Sequence, residues 1–271
     1  MQHLKFENIH VYNFEGALYG MRNPKNSWHL SDSAFGTTDE KYLTDIVDEV
    51  TSSYIGKDNY GWDIKSEYLQ HNGLKPVGKY IWRYDLIGAK DMKLAQRLIR
   101  GGPEHRKFLR QIFVSVDITA PLYWWKEFDT YKVGTVANST STMHKLAETP
   151  ITRDCFLLDP VNDELPIDDP LETYYLKVVI DDLIAQCEKL RQLYNETQDI
   201  RYWRALIQLL PNSWLQTRTV TMNYENLLAM CSKSQRRFHK LPEWREDFIS
   251  FARDLPYAAD FIFLDEQTLT D

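Results

Sequence analysis

Apolar and polar residues alternate through "LKFENIHVYNF", Leu4 to Phe14, and that period of two predicts a first strand. The next stretch, "GALYGMRNPKNSW", mixes Gly, Asn and Pro and predicts a loop or short helix. From Asp39 the period changes, because Tyr42, Leu43, Ile46, Val47 and Val50 recur at helical spacing and Asp39 stands where a cap belongs. A further helix is predicted over Asp91 to Ile99, closed by Gly101-Gly102. "QIFVSVDI" is dense in β-branched and aromatic residues and predicts a strand ending before Pro121. "PLYWWKEFDTYKV" restarts as a helix with Pro121 in its first turn.

The second half reads as more helical. "LDPVNDELPIDDP", residues 158–170, is an acidic, Pro-punctuated loop. Asp169-Pro170 is expected to open the longest helix, with Tyr175, Val179, Leu183, Cys187, Leu190 and Tyr194 on one face. "RYWRALIQLLP" comes next, then an extended stretch around "TRTVT", a helix from Asn223 to about Arg237, and a last helix from Pro242 to about Leu255. There are no internal repeats.

Composition narrows the function classes. The 271 residues are 43% hydrophobic and 13% aromatic, enough for a sizeable core. A formal charge of -7 and a pI near 5.6 argue against a general nucleic-acid or membrane-surface binder, which needs a broad basic face. No apolar run approaches the length of a membrane span and the N-terminus has no signal-peptide pattern, so a cytoplasmic location is expected. Cys155, Cys187 and Cys231 are odd in number and widely spaced, which suggests free thiols and no metal site.

Against that acidic background, three short basic clusters stand out. They are "GMRNPKNS" with Arg22, Asn23, Asn26 and Ser27; "GGPEHRKFLR" with His105, Arg106, Lys107 and Arg110; and "KSQRRFHKL" with Lys233, Arg236, Arg237, His239 and Lys240. Arginine offers a planar fork, and Ser and Asn add neutral hydrogen bonds, so the clusters suit an anionic ligand of nucleotide size. The hydroxyl-rich "KVGTVANSTSTMHKL" is a further polar stretch that packing alone does not explain. No GxxxxGK[ST], GxGxxG, HExxH or GxSxG pattern is present.

Two longer stretches resemble the flavin-dependent thymidylate synthases. In "LLPNSWLQTRTVTMNYENLLAMCSKSQRRFHKLPEWREDFISFA", Leu210-Pro211, Asn223, Arg237 and Trp244 fall on the family's Leu-Pro, helix-opening Asn, Arg and Trp, with about three residues inserted before Arg237. "LIRGGPEHRKFLRQIFVSVDITAPLYWWKEFDTYKVGTVANSTSTMH" is similar to the family's turn, strand, Ala-Pro, aromatic helix and signature RHRxxSxNExSxRY. The signature's Arg-His-Arg becomes Tyr131-Lys132-Val133 or Thr130-Tyr131-Lys132, Met143 stands for a substrate-binding Arg and is followed by His144, and Lys126-Glu127 stands over an Arg-Gln pair. Asn223-Tyr224-Glu225 puts an anion where the family's Asn-x-Arg has a cation.

The resemblance implies one domain over 1–271, of α/β class and α+β type: a central, mostly antiparallel sheet flanked by helices, with an additional helical segment. It implies transfer of one carbon from methylenetetrahydrofolate to C5 of a pyrimidine nucleotide, most directly dUMP to dTMP, with FAD and NADPH and without an enzyme thiolate. It also implies a homotetramer with sites at subunit interfaces. The implied substrate residues are Glu127, Ser139, Ser141 and Arg237, with Arg237 also catalytic and the hydroxyl-rich stretch a phosphate-binding turn; the implied cofactor residues are Arg22, Ser27, His105, Lys107, Lys132 and Asn223, with Arg110 joining them if flavin binding has been rebuilt. Two alternatives stay open: C5 modification of dCMP or UMP, and a non-catalytic nucleotide-binding relative that has lost FAD.

Overall fold

A computed structural model describes residues 3–54, 61–141, 146–159, 165–168 and 173–269. The chain begins with β1 (Lys5–Tyr12) and α1 (Phe14–Arg22), then two single 3₁₀ turns, β2 (Ala34–Asp39) and α2 (Leu43–Ser52). Next come α3 (Gly61–Gly73), β3 (Leu74–Pro76), β4 (Ile81–Leu86) and α4 (Ala89–Arg100). β5 (Phe113–Pro121) runs directly into α5 (Leu122–Phe128), and β6 (Val136–Ser139) follows. β7 (Pro166–Asp168), β8 (Thr173–Tyr175), α6 (Leu176–Thr197) and α7 (Ile200–Leu209) precede β9 (Leu215–Asn223). The chain closes with α8 (Tyr224–Met230), α9 (Lys233–Phe238), a π-helical turn (Glu243–Phe248), α10 (Ile249–Arg253), α11 (Ala258–Phe261) and a 3₁₀ segment (Leu264–Leu269).

The central sheet is antiparallel throughout, in the order β1-β5-β9-β6. Strand alternation explains its position. Val114, Val116, Ile118 and Ala120 of β5 are fully buried, while Ser115, Asp117 and Thr119 take the other face. β9 repeats the pattern with Val220 and Met222. On the buried face lie α1, through Phe14, Ala17, Leu18 and Met21, and α4, through Met92, Ala95 and Ile99. The i, i+3, i+4, i+7 spacing of α1 and the i, i+3, i+7 spacing of α4 form the stripe a helix needs to cover a sheet.

α5 drives Trp124, Trp125 and Phe128 into the same core, where Trp124 packs 5.4 Å from Trp244 and 5.3 Å from Phe128. Removing a buried aromatic of this kind costs about 3–5 kcal/mol. A second, smaller core forms where Ile184 and Cys187 of α6 and Leu206 of α7 meet Leu146, Ile151 and Phe156. This is the additional helical segment.

Several expectations are corrected. The longest helix starts at Leu176, because the acidic stretch contains β7, which pairs with β8. Its buried face is Ile184 and Cys187 with Ile180, Leu183 and Leu190 alongside, and Tyr175 and Val179 are exposed. Asp39 belongs to β2 and makes no capping bond. The helix expected from Asn223 to Arg237 is broken at Cys231-Ser232 into α8 and α9. "VANS" is the edge strand β6, with Ser139 opposite Arg218, so the candidate phosphate turn is strand at this point. The small sheet β2-β4-β3 had no counterpart in the sequence reading.

Candidate functional site

β9 delivers Asn223 to the start of α8, and Asn223 and Asn226 cap that helix reciprocally. Asn223 Oδ1 accepts from the Asn226 amide at 2.9 Å, and Asn226 Oδ1 accepts from the Asn223 amide at 3.1 Å. Asn226 Nδ2 donates to the Val133 carbonyl at 2.7 Å, which ties the loop after α5 to this helix start. The loop passes through Gly134 at φ 85°, a left-handed conformation that favours glycine. A Cβ there would lie 3.0 Å from Asn223 Nδ2 and 3.1 Å from Asn226 Oδ1.

Asn223 is only 7% exposed, and its Nδ2 makes no hydrogen bond among the described residues. A mostly buried donor left open toward a cleft is a site for an acceptor on a ligand. That cleft has a volume of about 470 Å³, and Arg110, Thr130, Tyr131 and Glu225 join the two asparagines and Gly134 around it.

Tyr131 stacks on Trp244 with ring centres 5.5 Å apart and accepts a hydrogen bond from Gln235 Nε2 at 2.8 Å. Burial first, and then Glu127, push the Tyr131 phenol above its ordinary range, so it stays neutral. His239 stacks on the same Trp244 at 5.0 Å. Its Nδ1 accepts the Leu241 amide at 3.1 Å, which puts the proton of the neutral ring on Nε2, 3.5 Å from Glu127 Oε1. Glu127 therefore faces His239, while Lys126 donates to Asn212 Oδ1 at 2.8 Å. Lys126 and Glu127 thus have separate partners.

The neighbouring arginines of α9 differ sharply. Arg236 donates to the Cys231 carbonyl at 2.6 Å and pairs with Asp265 at 2.7 Å and Glu266 at 2.9 Å. Arg237 is exposed, has no carboxylate partner among the described residues, and rests its guanidinium 5.9 Å from the Phe238 ring. It lines a cleft of about 680 Å³ with Lys233, Arg245 and Arg253, the last held bidentately by Glu266 at 2.7 and 2.9 Å. Of the two, Arg237 is the one with a guanidinium open to an anion.

The other candidate residues scatter. Arg22 is 5% exposed and its Nε lies 2.5 Å from Asp91, while its other nitrogens donate to the carbonyls of Ser27 and Leu30. Arg22 and Ser27 thus meet each other and the α4 start. His105 and Lys107 are exposed on the turn that also carries Arg106 and Arg110. Lys132 is exposed beside the Gly134 cleft, and its carbonyl accepts from the Thr135 amide. Ser139 is on β6 and Ser141 just beyond it; neither lines the Asn223 cleft or the Arg237 cleft. Met143 and His144 lie outside the described residues.

Asn226 and Gly134 escaped the sequence reading, although both left a trace. Asn223-x-x-Asn226 has capping-box spacing, and Gly134 is the last of the chain's 11 glycines. Burial raises the Cys187 thiol, and raises Cys231 further, so neither is a thiolate nucleophile at neutral pH. Among the described residues no group of His, Cys, Asp and Glu is placed to hold a metal ion, and no helix is long and apolar enough to cross a membrane.

The antiparallel sheet and its flanking helices are a fold shared with solved flavin-dependent thymidylate synthases. The chain is similar to thymidylate synthase X (ThyX) from Helicobacter pylori, solved with FAD and dUMP, at 15% identity over 98% of both chains with a TM-score of 0.56. A second structure of the flavin-dependent ThyX from Helicobacter pylori, complexed with FAD and dUMP, matches at 15% identity over 97% of this chain and 99% of that one, with a TM-score of 0.55. The sequence matches no family model and no curated protein.

Proposed function

We propose that the chain is a divergent flavin-dependent enzyme that transfers one carbon from methylenetetrahydrofolate to C5 of a pyrimidine nucleotide, with dUMP to dTMP as the reaction. The observation that carries this reading is the open Asn223 amide over Gly134, in a fold shared with proteins solved with FAD and dUMP. The residues present suit a flavin's polar edge. Asn223 Nδ2 offers a donor to a ring carbonyl, Arg110 a cation to a phosphate, and Tyr131 an aromatic wall. Lys132, His105 and Lys107 stand on the segments flanking that cleft, whereas Arg22 with Ser27 braces the start of α4 and would act on a cofactor only indirectly. A bound flavin would supply the hydride, with NADPH as its reductant.

Arg237 is the residue for the pyrimidine: its open guanidinium, once closed in by bound substrate, would stabilise charge developing on a ring oxygen. Ser139 and Ser141 would hydrogen-bond the nucleotide phosphate. Because they share no described cleft with Arg237, the reading requires a neighbouring subunit to bring them together, as in a homotetramer with interfacial sites. It is consistent with an enzyme of the cytoplasm that uses no cysteine nucleophile. Glu127 favours a second substrate. Where an amide offers one acceptor and one donor, its carboxylate offers only acceptors, which suits an exocyclic amine, and dCMP is then the alternative substrate to dUMP.

The test is direct. Purified protein should be yellow, release FAD on denaturation, and with NADPH and methylenetetrahydrofolate convert one of dUMP, dCMP or UMP to a product heavier by a methylene. A colourless protein that gains no thermal stability from added FAD sinks the reading in favour of a non-catalytic relative. Arg237→Ala should abolish turnover and leave the flavin bound.

A further inference from the structure

A separate cleft of about 360 Å³ opens between α4, α8, α9 and the C-terminal segment. Its floor is apolar: Ile99, Phe261, Ile262 and Leu264 are each at most 6% exposed, and Leu228 packs beside them. Its rim is basic, with Arg100, Arg106, Lys233 and Arg236 against the single acid Asp265. On a chain of net charge -7 that local balance is unusual.

Arg106 is the built element. Its Nε lies 3.1 and 3.0 Å from the two Glu225 oxygens, and both side chains are less than one-fifth exposed. The carboxylate fixes the plane of the guanidinium, yet Arg106 Nη1 and Nη2 make no hydrogen bond among the described residues. Arg100 and Lys233 likewise have no acidic partner there, whereas Arg236 is already neutralised by Asp265 and Glu266. A mostly buried arginine held by one edge, with its outer nitrogens open over an apolar floor, is arranged to receive an acid group attached to an apolar body.

We propose that this cleft binds a small amphipathic anion, an aromatic or short aliphatic body bearing one carboxylate or phosphate. The acid takes the Arg106 fork with Arg100 and Lys233 beside it, and the body lies on Phe261, Ile262 and Leu264. The proposal does not rest on the flavin reading, because Glu225 and Arg106 stand as a wall between this cleft and the one at Asn223.

The experiment uses the whole chain, with its flavin content measured, and four probes: phenyl phosphate, phenylacetate, inorganic phosphate and phenol. Calorimetry should show saturable binding of phenyl phosphate or phenylacetate, and the head or body alone should bind at least about tenfold more weakly. Excess FAD should leave that binding unchanged. The double variant Arg106→Leu/Glu225→Leu, which leaves neither charge unpaired, should lose about tenfold or more in affinity. Leu228→Trp, which fills the floor, should abolish binding. The proposal is overturned if the double variant binds as well as the parent, if FAD displaces the probe, if inorganic phosphate binds as tightly as phenyl phosphate, or if folded protein shows no saturation with either amphipathic probe.

Discussion

Replacing Arg22 by methionine separates a structural arginine from a cofactor ligand. Asp91 is fully buried and accepts from Arg22 Nε at 2.5 Å, Ser31 Oγ at 2.5 Å and Ser33 Oγ at 2.6 Å. Arg22→Met keeps the length and apolar stem but leaves this carboxylate without its cation, which for a buried pair costs about 3–5 kcal/mol. A chain of 271 residues at roughly 2.1 cal/mol/K per residue has an unfolding entropy near 0.6 kcal/mol/K, so the expected fall in Tm is about 5–9 °C. Arg22→Met/Asp91→Leu should recover much of that loss, since it removes both charges from the interior. Thermal unfolding by circular dichroism reads the stability, and flavin released on denaturation reads the cofactor. If Arg22→Met melts within about a degree of the parent and yet loses its flavin, Arg22 is a ligand and the buried-pair reasoning is refuted.

Four further outcomes follow from the same geometry. Gly134→Ala puts a Cβ at positive φ against Asn223 and Asn226, and should cost about 1–2 kcal/mol while reducing flavin retention more than Tm; equal retention would remove the cleft from the cofactor site. A thiol reagent should label Cys155 in the folded protein and reach Cys187 and Cys231 only on unfolding, with turnover surviving Cys155→Ala; rapid loss of all three thiols would contradict the burial. The Glu188 carboxyl is held at about 2, first by Arg191 and then, against the effect of burial, by the Ile151 amide and Gln192. Its folded value lies below that of an unfolded glutamate, so its stabilisation is complete above about pH 4.5 and fades as pH falls toward 2; Glu188→Gln should be less stable than the parent at pH 7 by about 1–3 kcal/mol, with the gap closing through that window. Trp244→Ala, which removes the ring under both His239 and Tyr131 and the bond to the Met230 carbonyl, should lower stability by about 3–5 kcal/mol as well as activity, and a stable but inactive variant would assign Trp244 to the site alone.

What the sequence made legible was what local patterning controls. β5, α4 with its double-glycine stop, and the aromatic α5 were readable because alternation or helical spacing there coincides with burial. The mixed, antiparallel class followed from the resemblance. The sheet β2-β4-β3 was hidden because "AFGTTD" and "IWRYDL" are only half-buried, so neither shows clean alternation. β6 was hidden for a different reason: all four of its residues are exposed, and it is a strand only because β9 lies beside it. The same limit governs the site. Residue chemistry alone does not separate Arg236 from Arg237, and although the resemblance pointed to Arg237, it is the fold that shows Asp265 and Glu266 engaging Arg236.

The two edges of the central sheet bear on how copies of this chain can meet. β1 is interrupted between Glu7 and His10, with Asn8 at φ 52° and its side chain turned in to Asp117 at 2.7 Å. A foreign strand laid along that edge would lose register within a few residues. At the opposite edge β6 offers four residues, too short a template for lasting pairing. Both margins resist extension, which guards the chain against runaway strand stacking and leaves helix and loop surfaces as the faces through which an ordered assembly can be built.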